Sequence, residues 1–124
     1  MNTTTSPIPL PPHDAAFISA FEDLRLPPEL FDHKGHMRIC WLYLKRYSLD
    51  VALRRTCDGI QSYATSLGAT DKFNYPLTEA FVHIMSQRIE ADTEANWSTF
   101  LDQNRDLVDD AVDVIRHYDA TLMK

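Results

Sequence analysis

Apolar residues recur every three or four positions along most of the chain, and short polar or proline-bearing stretches cut this pattern into about six segments. The spacing predicts helices throughout. Phe17, Phe21 and Leu24 share one face of a first helix that Asp14 can cap and that runs to about Leu24. Leu26-Pro27-Pro28 ends it, because a residue before proline avoids the helical region. Asp32 is a good N-cap for the next helix, on which His33, His36, Met37, Cys40, Tyr43, Leu44 and Tyr47 fall on one side at about 100° per residue. Both histidines should therefore turn inward. Ser48 opens a third helix with a stripe of Leu49, Leu53, Cys57, Ile60, Ala64 and Leu67, and Gly68 suits the position just past its end.

A loop from Gly68 to Pro76 follows, with two aromatics that suggest it packs down on the scaffold. Pro76 fits the first turn of a helix running to about Ala91, whose apolar residues spread so widely that it should be buried on most sides. Asp92 or Thr93 can cap a fifth helix that buries Trp97, Phe100 and Leu101. A last helix starts at Asn104 or Asp106 and carries Leu107, Ala111, Val114, Ile115 and Tyr118 inward. The expected fold is all-α: a single-domain bundle of about six helices over residues 13–124. Residues 1–12, rich in Thr and Pro, read as a disordered arm.

Composition narrows the classes. The chain has 124 residues, enough for one core, with only three glycines, which is few for an all-β protein. The formal net charge of −6 disfavours nucleic acid and acidic membrane surfaces. No apolar run is long enough to span a bilayer and the first residues do not resemble a secretory signal, so a cytoplasmic location is expected. Cys40 and Cys57 sit within helical patterns and read as small buried hydrophobes of a reducing compartment.

Candidate chemistry gathers on the second helix. His33 and His36, at i and i+3, place two imidazoles close enough to share an ion. Gly35 between them leaves room for another backbone or a ligand. On the fourth helix Glu79, His83 and Gln87 form a polar row that needs partners. His33, His36 and His83 are the candidate metal ligands, with Glu79 also able to complete a mixed site. Glu79, Tyr43 and Tyr75 are the candidate catalytic groups, and Arg38 could pair with an anionic substrate. Each has a plain structural alternative: a capped or hydrogen-bonded histidine, a surface i, i+4 pair, a solvated cation.

The run Phe31-x-His33-x-x-His36-x-Arg38-x-x-Trp41-x-Tyr43-Leu44 resembles a set of small, uncharacterised bacterial all-helical proteins with an F-x-H-x-x-H-x-R-x-x-W-x-Y-L motif. Gly68-Ala69, Lys72-Phe73 and Thr78 resemble their middle segment, and Trp97, Phe100, Asn104 and Leu107 a later one. Where those proteins carry His-Glu, this chain has Asn74-Tyr75. The resemblance implies that Asn74 stands in for a histidine, as a weaker oxygen ligand or a substrate contact. It favours a His33/His36 site without naming a reaction.

Three readings follow. One is a metal-dependent enzyme acting on a small molecule, with zinc or non-haem iron. Another is metal-free catalysis with a histidine as general acid–base. The third is a non-enzymatic helical subunit or interaction module with structural histidines; a homodimer is open under it.

Overall fold

The computed structural model describes residues 12–69 and 75–118, and all regular structure among them is helical. Seven α-helices follow in order: α1 (Pro12–Glu22), α2 (His33–Arg46), α3 (Leu49–Ser66), α4 (Tyr75–Ala91), α5 (Trp97–Gln103), α6 (Arg105–Asp109) and α7 (Ala111–Tyr118). A 3₁₀ turn at Pro28–Leu30 leads into α2. Apart from Pro12, which starts α1, the expected arm lies outside the described residues. None of the helices described is long and apolar enough to cross a membrane.

The centre is a three-helix packing in which α2, α3 and α4 each touch the other two. From Met37 to Tyr43 only Arg38 is not buried, so α2 is as central as α4. α1 lies across α2 and α3, and α7 packs on α4. An aromatic group, Trp41 with Trp97 and Phe100, seats α5 against α2. Cys40 and Cys57 are both buried as free thiols.

Local chemistry sets the boundaries. Asp32 Oδ1 accepts from the Gly35 amide at 2.8 Å, the N-cap expected. α3 ends in a Schellman motif: the Gly68 amide donates to Thr65 and the Ala69 amide to Ala64, with Gly68 at φ 76°. α1 ends the same way, through Leu24 to Phe21 and Arg25 to Ala20, but Leu24 holds the left-handed position at φ 62°.

Several expectations are corrected. Leu24, Leu67 and Tyr118 point outward, 47 %, 48 % and 44 % exposed, because the first two sit in or beside the turns that stop their helices and Tyr118 ends α7. Asp14 is inside α1, not its cap, and pairs with Arg38. α5 is capped by Asn96, whose side chain accepts from Thr99, instead of Asp92 or Thr93. The single last helix is two, broken at Asp110 (φ −134°, ψ 40°).

Candidate functional site

The N-terminus of α2 is fixed from two sides. The 3₁₀ turn lays the Leu30 carbonyl so close to Gly35 that a Cβ there would fall well inside contact distance of the Leu30 oxygen and 3.3 Å from Asp32 Oδ1. Phe31 then packs at a tilt against both Tyr63 (centroids 4.3 Å) and the His36 ring (4.2 Å). The Tyr63 hydroxyl donates to the Leu26 carbonyl and holds the connection on α3.

Within this frame each histidine has one nitrogen occupied. His33 Nε2 lies 2.7 Å from the Leu107 carbonyl, and since a carbonyl only accepts, that nitrogen carries hydrogen. The break at Asp110 interrupts the helix just beyond Leu107, where carbonyls lack an intrahelical partner. His36 Nδ1 donates to the Asp32 carbonyl at 2.7 Å, which leaves Nε2 with its lone pair. Burial, outweighing the backbone bond to Asp32, lowers the His36 pKa from 6.5, so the ring is neutral near pH 7. The inward expectation holds only in part: His36 is half-buried, whereas His33 is exposed.

Both rings line one cleft of about 220 Å³. Thr56 and Ile60 of α3 form one wall, Leu77, Thr78 and Phe81 of α4 another, and Ala111, Val112 and Ile115 of α7 a third. The His33 ring lies beside Phe81, with centroids 5.9 Å apart. Thr56 is 1 % exposed, and its Oγ1 has no hydrogen-bond partner.

The other candidates lie elsewhere. Leu77, Thr78 and Phe81 mark the cleft face of α4; at 3.6 residues per turn Glu79 and His83 point roughly 150° and 170° away from it. Glu79 and Tyr75 instead neighbour Cys57, whose pKa is pushed up to about 11 by burial and then by the charges of Glu79 and Asp58. Tyr75 has its own pKa raised, first by Cys57. Tyr43 donates to Glu22 at 2.6 Å, and burial, then that bond, raises its pKa. It lines a larger groove of about 670 Å³ between α1 and α3, whose Glu22 is also 3.9 Å from Arg55. That groove lies apart from the histidines. Arg38 pairs with Asp14 at 2.7 Å and covers the Phe17 ring at 4.2 Å, so it ties α1 to α2. Asn74 lies outside the described residues.

The set His33, His36 and His83 is thus not brought together, and no group of three or more His, Cys, Asp or Glu able to hold an ion occurs among the described residues. What assembles is two imidazoles, two threonines and an apolar floor. Thr56, Thr78 and the Leu107 carbonyl were not singled out from the sequence. Thr56 had a signal: it lies three residues after Leu53 and four before Ile60, inside the apolar stripe of its helix. Comparison with protein families, with curated proteins and with solved structures gives no match for this chain.

Proposed function

We propose that this protein binds a small, largely apolar molecule in the cleft between α2, α3, α4 and α7, with His36 as the acceptor, and the available acid–base group, on its wall. The observation that carries this is the His36 ring: Nδ1 is committed to Asp32, Nε2 is free, and burial keeps the imidazole uncharged beside Ile60, Leu77 and Phe81. Small-molecule sites have this make-up, an apolar pocket with a few placed polar groups. A dry cavity of roughly 150 Å³ takes benzene, so about 220 Å³ suits a body of roughly nine non-hydrogen atoms.

A metal-dependent reaction would need a third donor besides His33 and His36, and the described residues offer none. The neutral imidazole supports metal-free chemistry or simple binding instead. Nucleic acid remains disfavoured by the net charge of −6.

The test is a titration with toluene followed on the methyl signals of Ile60, Leu77 and Ile115. Shifts confined to these residues, and lost in Ala111→Phe, are expected. Scattered shifts, or binding that survives Ala111→Phe, would refute the cleft as the site.

A further inference from the structure

Among the described residues three buried side-chain polar atoms lack a hydrogen-bond partner, Nε of Arg38, Nε of Arg46 and the Thr56 hydroxyl, and of these residues Thr56 lines the cleft. Its hydroxyl is buried on a cleft wall and has neither a backbone carbonyl nor a side chain to bond. A buried hydroxyl without a partner is destabilising, and a threonine in a helix normally relieves this by donating to the carbonyl one turn back. Here it does not, and the cleft that Thr56 lines is the space from which a partner can reach it. His36 Nε2, on the same cleft, makes no hydrogen bond to the described residues and can only accept. These two groups, in a cleft whose other lining is apolar apart from His33 and Thr78, call for a group that both donates and accepts. A hydroxyl does this: it donates to His36 and accepts from Thr56. A carboxylate cannot donate to the neutral imidazole, and a hydrocarbon satisfies neither group.

We infer that the ligand of this cleft is an uncharged alcohol or phenol, its hydroxyl held between Thr56 and His36 and its apolar body against Leu77, Phe81 and Ile115. The inference rests on the cleft being the ligand site. It adds the ligand's class and a specificity residue, Thr56, that reads the hydroxyl.

Toluene and p-cresol differ by this one group and serve as probes. In a purely apolar cleft the phenol would bind worse, since its hydroxyl would lose water without compensation. In the native protein p-cresol is expected to bind at least as tightly as toluene. Thr56→Val keeps the shape and removes only the hydroxyl, so it should fold at least as well while the p-cresol-to-toluene affinity ratio falls by roughly 3- to 10-fold. Thr56→Ser should restore the ratio. A ratio unchanged in Thr56→Val would overturn the inference and assign the hydroxyl's partner to a water, while toluene binding would leave the cleft itself standing. Failure of both probes to bind would remove the cleft reading and this one with it.

Discussion

Gly35, Leu24 and His36 each sit under a sharp local constraint. Gly35 is required by the Leu30 carbonyl pressed against it. Gly35→Ala forces the 3₁₀ turn or the start of α2 to move, and overpacking of this kind costs about 1–3 kcal/mol. Urea denaturation should show that loss, and an unchanged midpoint would mean the turn yields freely. Leu24 is the opposite case, a branched side chain at φ 62°, half exposed, where glycine is favoured. Leu24→Gly should raise stability by about 1 kcal/mol, read by the same denaturation experiment. His36 sets a pH dependence. Its pKa is lowered on folding, so the unfolded chain takes up the proton first as pH falls. Stability is intact above about 6.5 and declines below it, until the folded form is protonated as well. Denaturation at a series of pH values from neutral to mildly acid should show this decline, shallower in His36→Gln; equal slopes would exclude His36 as its source.

At the scale of elements, the resembling run of α2 does its visible work in packing. Phe31 packs at a tilt against His36 and Tyr63, Arg38 holds Asp14 of α1, Trp41 meets Trp97 of α5, and Tyr43 bonds Glu22 of α1. The short helices are tied on by polar links. Arg88 of α4 makes two bonds to Asp106, at 2.9 and 2.8 Å, and a third to Asn104 at 2.8 Å, where α5 passes into α6. The Arg88 hydrogen bond depresses the Asp106 pKa below its usual 3.8. Both side chains are partly exposed, so Arg88→Ala is expected to cost only about 1 kcal/mol. The pair's contribution is present above the carboxylate range and fades as pH falls through it, so the difference between Arg88→Ala and the native protein should shrink in acid.

Across the whole molecule, stability is unevenly spread. α2 is surrounded, whereas Ile115 is the only buried residue of α7. Elements with few buried apolar residues open locally before the core does. Amides of α7 should therefore exchange with solvent sooner than those of α2, and p-cresol bound against Ile115 should slow α7 selectively. Uniform protection across both helices would argue against a ligand seated there.

The all-α fold, the helix ends at Asp32 and Gly68, and the burial of Cys40 and Cys57 are legible in the residues alone. These follow from the 3.6-residue period and from side chains acting on their own backbone, both local properties. The split at Asp110 was not legible, because the apolar period runs on through it from Leu107 to Ala111 and Ile115. Which polar residues meet was decided only by tertiary structure. Periodicity places His36, His83, Thr56 and Arg38 each on a face, but not the rotation of one helix against the next. Packing turned Glu79 and His83 away from the cleft, drew Arg38 to Asp14, and left Thr56 facing His36's cleft without a partner.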